Sequence, residues 1–309
     1  MKKIYILPLL MIILASCNKK EVTELTFDVK TDRTTYNVGD TVNFLLSGNP
    51  DQLVLFSGED GHKYIYKDRT EAQSDLFTLE FATNRRYGSD VQQPQSLRLF
   101  ASQTFNGQYQ PESINESADW TDITSAFTLS GIQSTDAAYV SSGTVDLTRL
   151  ANLGFNLDKS KAVYFAFRYK GNTGSNQPRW WINKFDIKIT TTDGEALTVA
   201  DISTAGWTAV KVLPSSPVNW IFGEDKTVKF QGGGATVLSN HVWAITKGLN
   251  LTTVEPDKGV ALKNMSTRMD SYPYVFTKEG VYTVTFIASN VNIYGESKVI
   301  KEVQVKVEP

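Results

Sequence analysis

The 309-residue sequence contains one cysteine and two histidines. A single thiol excludes an internal disulfide framework and a Cys-based zinc site. The histidines, His62 and His241, stand far apart, and a Ser-His-Asp centre would have to use one of them. No G-x-S-x-G elbow presents a serine, and no H-E-x-x-H run occurs. His62 falls in the turn-like "GEDGHKYIY" and His241 just before an apolar strand, so neither is expected to be catalytic. No basic run exceeds two residues and the formal net charge is only −2, which leaves nucleic-acid binding without an electrostatic footprint. "QGGGATV" lacks the Lys-Ser/Thr of a phosphate loop and suits a hairpin turn. No long stretch keeps a 3.6-residue period, so extended helices are not expected.

Carboxylate pairs exist but read as solvated surface. Glu59 and Asp60 adjoin on a turn, where acidic residues bond to the backbone, and neighbours on a strand point to opposite faces. Glu112, Glu116, Asp119 and Asp122 fall in a polar loop and at a strand edge. The two-carboxylate arrangement of a glycosidase is therefore not expected. The chain reads as a non-enzyme that needs no cofactor and no metal.

What is present is a period of two. "LTFDVKT" puts Phe27 and Val29 on one face, and "TVNFLLSG" does the same with Val42, Phe44 and Leu46. "VYFAFRYK" aligns Val163, Phe165, Phe167 and Tyr169. "VYTVTFIAS" aligns Tyr282, Val284 and Phe286, with Thr283 and Thr285 on the other face. "EVQVKV" aligns Val303, Val305 and Val307. Turn signals such as "YNVGD", "SGNPD" and "TTDGE" separate these runs. The fold class read from this is all-β, built of sandwiches. Six Trp, 13 Tyr and 16 Phe are enough for two such cores.

The first residues, "MKKIYILPLLMIILASCNKKEV", combine a basic start with an apolar run over 4–15. That run has the length of a secretion signal and is shorter than the roughly 20 residues of a membrane-spanning helix. It ends in "LASC", which resembles the lipobox of bacterial lipoproteins. The resemblance implies a signal peptide at 1–16 and acylation of Cys17, with the membrane as a partner through that anchor. The alternative is an ordinary signal peptide with a chance cysteine. Residues 17–24 then form anchor and tether.

The two ends of the chain resemble halves of one module. "TYNVGDTVNFLLSG" and "QLVLFSGEDG" are similar to the opening strands of PKD-type immunoglobulin-like domains. "YPYVFTKEGVYTVTFIASN", residues 272–290, is similar to their closing strands. Each half alone has too few strands for a sandwich. Pairing them makes a discontinuous domain of 25–70 with 254–309. The middle, 74–250, then becomes an insertion, which folds tolerate in loops. Within it "WTDIT", "YFAFRY" and "WWINKF" resemble the choice-of-anchor J jelly roll, a relative of galactose-binding-like sandwiches. "SQTFNG" departs from that pattern, because the acidic positions are neutral, so no calcium site is expected. Residues 193–240 fit no element. The simpler layout, with an N-terminal β-domain, a jelly roll and a C-terminal immunoglobulin-like domain in series, stays open.

As a whole the chain resembles surface lipoproteins of Bacteroides-type bacteria. The resemblance implies an outer-membrane location, exposed at the cell surface, and SusC/SusD-like import proteins as partners. Its expected function is nutrient capture as a non-catalytic accessory that binds glycan. A peptide-binding or structural subunit is the alternative.

One residue points to where binding would occur. Trp120, Trp180 and Trp243 stand at positions that read as core. In "RWWINKF" Trp180 and Ile182 share a face, so Trp181 points the other way. Beside it lies "GNTGSNQPR", read as a flexible polar loop. An exposed Trp181 flanked by Asn176, Gln177 and Arg179 can cover the apolar face of a pyranose while polar groups take the hydroxyls. Tyr109, in "FNGQYQPE", is a further candidate. The competing reading is that Trp181 packs between domains.

Overall fold

The computed structural model describes Val22 and residues 24–192 and 194–309. The expected signal segment, Cys17 and most of the tether lie outside the described residues. The chain opens with β1 (Phe27–Thr31), β2 (Thr35–Asn37), β3 (Thr41–Gly48) and β4 (Gln52–Phe56). The middle carries β5 (Ser74–Arg86), β6 (Leu97–Ser102), β7 (Thr121–Asp122), β8 (Val140–Ser141), β9 (Val145–Asp146) and β10 (Tyr164–Gly171). It continues with β11 (Arg179–Thr191), β12 (Ala196–Ala200), β13 (Thr208–Lys211), β14 (Ile221–Gly223), β15 (Thr227–Phe230) and β16 (Asn240–Ile245). The last strands are β17 (Val260–Lys263), β18 (Ser271–Val275), β19 (Gly280–Asn292) and β20 (Gly295–Glu308). They fall into two compact units. One joins the described residues up to Asp68 to Pro256–Pro309, and the other is Arg69–Glu255.

The first unit is an immunoglobulin-like sandwich. One sheet runs β1-β3-β18, and the other runs β17-β4-β19-β20-β2. The two ends of the chain thus share one core. Phe27, Val42 and Phe44 from one sheet meet Leu55, Val284, Phe286 and Val305 from the other, and the Phe44 and Phe286 rings touch edge to face at 5.2 Å. β2 runs parallel to β20, whereas β1 pairs with β3, so the first strand segment is split between the sheets. At the start of β19 the Tyr282 hydroxyl donates to the Lys278 carbonyl at 2.9 Å, the tyrosine corner of immunoglobulin-like folds. β4 and β17 pair with each other, so in sequence the second unit fills the loop of a hairpin. Both ends of the insertion therefore start from adjacent strands, which is why it costs the host sandwich little.

The second unit is also a sandwich. Its sheets are β13-β16-β10-β6-β7 and β14-β15-β11-β5-β8, with β12 added to β11 and β9 to β5. Phe77, Leu79, Phe81, Phe165, Phe167, Tyr169 and Phe185 fill the space between them and are fully buried. β10 is buried on its outer side too, where Ala166 lies in a second cluster with Phe100, Phe105, Trp120 and Trp243. Trp120, Trp180 and Trp243 are core residues, as their positions suggest. Residues 193–240, which the sequence left unassigned, supply β12 to β15. β13 lies on the edge of the first sheet beside β16, and the β14–β15 hairpin widens the second beside β11.

Candidate functional site

The alternation of β11 sends Trp180 and Ile182 into the core at 3% and 0% exposure and leaves Trp181 half-buried on the outer face. There two cations cover part of the ring, which corrects the expectation of a freely exposed Trp181. The Arg179 guanidinium carbon lies 3.9 Å from its ring centroid and Lys229 Nζ lies 4.9 Å away. The cause is register. Arg179 is two residues earlier on the same face, and Lys229 stands directly across in β15. Cation–π contacts of this kind hold both charges against the indole.

Arg179 is itself mostly buried. Its Nη2 donates to Asp136 Oδ1 at 2.5 Å, and Arg86, across the ladder in β5, donates to the same carboxylate. The Arg179 hydrogen bond, reinforced by Arg86, holds the Asp136 carboxyl below the usual carboxylate range. Asp136 comes from a loop laid over the sheet. Asn84 Nδ2 pins that loop by donating to the carbonyls of Thr135 and Ala138 at 2.9 and 2.8 Å.

Next to Arg86 the chain turns through Tyr87 and Gly88, both left-handed with φ of 64° and 67°. Gly88 has no room for a side chain, because a Cβ would lie 2.7 Å from Pro178 Cγ and 2.8 Å from the Asn176 carbonyl. Tyr87 has no such excuse. A bulky residue there stores strain. The residue is 52% exposed, and its ring lies near both guanidiniums, 5.2 Å from Arg86 and 5.8 Å from Arg179. The structure therefore gathers Trp181, Arg179 and Asn176, and adds Arg86, Tyr87, Asp136 and Lys229, which sequence reasoning missed. The one local signal was the "NRRYG" run itself, with an aromatic where a turn would favour Asn or Gly.

Two candidates are corrected. Gln177 is 1% exposed. Its Nε2 donates to the carbonyls of Val237 and Leu238, and its Oε1 accepts from Asn240 Nδ2 at 2.7 Å. It staples two loops together, and the loop expected to be flexible is tied by further backbone bonds, from Gly174 to Ala235 and from Gln177 to Gly233. A buried amide must find such partners, so Gln177 is not offered to a ligand. Tyr109 lies on the outside of the other sheet. It packs edge-on to Phe105 at 5.7 Å and donates to the Thr246 carbonyl at 3.0 Å, and burial raises its hydroxyl pKa. It belongs to the Phe105–Trp243 cluster and not to the Trp181 patch.

Both histidines and three of the carboxylates are engaged elsewhere. His62 Nδ1 meets the Lys258 carbonyl at 2.6 Å. His241 Nε2 accepts from the Trp243 indole at 3.0 Å, which fixes it as the neutral Nδ1-protonated form. Burial, with Lys170 nearby, brings its pKa down to about 4. Glu59 accepts from the Tyr274 hydroxyl, and Asp60 pairs with Lys63 at 3.0 Å. Burial alone would raise the Glu116 carboxyl, but Arg168 and Lys170 outweigh it and hold the pKa low.

Residues 16–207, more than half of the chain, match a family described as a domain of unknown function, DUF5017. The chain belongs to this family. The match spans the opening strands of the first unit and ends between β12 and β13 of the second, so it includes Arg86, Tyr87, Asp136, Asn176, Arg179 and Trp181. No curated protein and no solved structure matches the chain.

Proposed function

We propose that the protein is a non-catalytic outer-surface lipoprotein, anchored at Cys17, that binds glycan as an accessory to a SusC/SusD-like nutrient importer. The observation that carries the binding role is the Tyr87 turn. An exposed tyrosine is held in an unfavourable backbone conformation beside two guanidiniums that share one carboxylate. Strain kept at the surface points to use, because packing does not demand it. The ring offers a stacking platform for a pyranose. Arg86 offers a planar donor to hydroxyls, Arg179 holds Asp136 and the Trp181 ring in place, Asp136 offers a carboxylate acceptor whose pKa is held low, and the exposed Asn176 an amide. Asp136 is poorly suited to general-acid chemistry, because the arginines keep its proton off.

The test is Tyr87→Gly. Glycine suits φ of 64°, so the variant should melt at or above the wild-type temperature. Loss of a hot-spot ring costs about 2 kcal/mol, roughly 30-fold in affinity. Affinity electrophoresis against a polysaccharide panel, with a peptide library in parallel, reads the loss. Binding that survives in Tyr87→Gly moves the site elsewhere. A ligand found among peptides, with the same loss, replaces glycan by the alternative, since aromatic and arginine side chains also make protein hot spots.

A further inference from the structure

The hairpin that joins β19 to β20 turns through Ile293 and Tyr294, since Asn292 and Gly295 are the last paired residues. Two-residue hairpin turns favour Asn, Asp and Gly, and a β-branched residue is among the least suited. Here the turn chemistry comes from Asn292, whose Oδ1 accepts from the Tyr294 N–H at 2.8 Å. The turn positions themselves carry apolar side chains at 90% and 60% exposure. Ile293 is the most exposed large apolar residue described in the immunoglobulin-like unit. Val291 is 46% exposed and Met265, in the β17–β18 loop, 71%.

These residues lie at one end of the sandwich. Lys263, Leu53, Ala288 and Val299 form one row across the sheet. The β17–β18 loop, the β3–β4 loop and the β19–β20 turn all lie beyond it. The chain also enters at this end. Phe27 pairs with Gly48, the Glu24 carbonyl accepts from Asn49 Nδ2 at 3.3 Å, and a Cβ on Gly295 would lie 3.5 Å from a Val22 methyl. Only five residue steps separate Val22 from Cys17. At about 3.3–3.6 Å per step, they span at most about 18 Å.

We infer that the β19–β20 turn is a membrane-contacting tip. With acyl chains on Cys17, Ile293 and Tyr294 dip into the interface of the same leaflet and set the orientation of the anchored protein. This rests on the lipoprotein reading above. An aliphatic residue beside a tyrosine suits that boundary, where the apolar part enters the acyl region and the phenol stays among headgroups. The occupant is lipid and not a protein groove, because the tether leaves this tip next to its own bilayer.

The experiment uses the full-length protein purified from membranes and placed in phosphatidylethanolamine/phosphatidylglycerol vesicles. Ile293→Cys carries a nitroxide, and Glu279→Cys, in the exposed loop before β19 at the other end of the same unit, is the control. Collisions with oxygen and with a water-soluble nickel complex are compared by EPR. The Ile293 label is expected to favour oxygen severalfold over the Glu279 label. Equal, water-like accessibility at both positions on a vesicle-bound protein overturns the tip and leaves the anchor standing. An acylated Cys17 takes no label, so each variant should bind one nitroxide, and Cys17→Ala should leave the membrane fraction. Two nitroxides per chain, or Cys17→Ala retained on membranes, overturns the anchor and the tip with it.

Discussion

At the residue scale, the face on which a side chain lies is easier to read than what covers it. Strand alternation alone separates Trp181 from Trp180 and Ile182, and it requires no knowledge of the neighbours. Lys229 is a neighbour of Trp181 only because β15 pairs with β11 in that register. Gln177 was misread for the same reason, since its partners Val237, Leu238 and Asn240 lie about sixty residues on in the chain. His241 yields a prediction of this scale. Half-buried, accepting from Trp243, and facing Lys170 and Arg168 against Glu116, it stays neutral down to about pH 4. In the unfolded chain its pKa is near 6.5. Below that pH the unfolded state binds the extra proton, so the His241 contribution is whole above pH 6.5 and is lost as pH falls toward 4. The loss is at most about 1.4 kcal/mol per pH unit, and less for a side chain that keeps some solvent contact. His241→Gln keeps an acceptor for the indole and removes the titration. Urea midpoints of the wild type should therefore fall more steeply than those of the variant between pH 6.5 and 4.5. Parallel curves would refute the assignment.

At the element scale, the strands are where their period-two runs suggest, and their burial depends on position in the sheet. β10 is buried on both faces because it is internal to its sheet and the Phe105–Trp120 segment covers the outside. That is why Arg168, on the outer face, is 5% exposed and needs Glu116 as a partner. Turns follow local chemistry where nothing else intervenes. Gly48 ends β3 with φ of 111°, and a Cβ there would sit 2.0 Å from the Thr26 carbonyl oxygen, a backbone atom that cannot swing away. Gly48→Ala should cost about 3 kcal/mol or more. Gly39 has φ of 88° with nothing within 4 Å of a Cβ, so Gly39→Ala should cost only the left-handed penalty, about 1–2 kcal/mol. Chemical denaturation of the two variants side by side checks the difference. Equal losses would mean that the segment leading into β1 yields at Thr26.

At the scale of the whole molecule, the two units imply different fates for fragments. Residues 69–255 hold both sheets of their own core and should unfold cooperatively in isolation. Residues 22–68 lack β18, β19 and β20, which supply half of the first core, and should be unfolded. A fragment cut at the family match, 16–207, lacks β13 to β16 as well, which flank β10 and β11 in the two sheets of the second unit, and should fold in neither unit. Amide dispersion and melting curves of the three fragments decide this. A folded 22–68 fragment would show that the first unit does not need its closing strands.

What the sequence determined by itself is what local chemistry controls. Alternating apolar residues specify strands and choose their inward faces, which made the all-β class and most of the core legible, with Phe44, Phe167, Trp180 and Phe286 among them. The opening and closing runs also carry the likeness of one module. Tertiary structure decided which strands meet. β4 finds β19 across the whole inserted unit, and β11 finds β15 within the stretch left unassigned. The patch around Tyr87 depends on such meetings, because Arg86, Asp136, Arg179 and Lys229 arrive from four separate segments. Period and turn chemistry act over a few residues, whereas register and cross-strand contact are settled by burying the whole core at once.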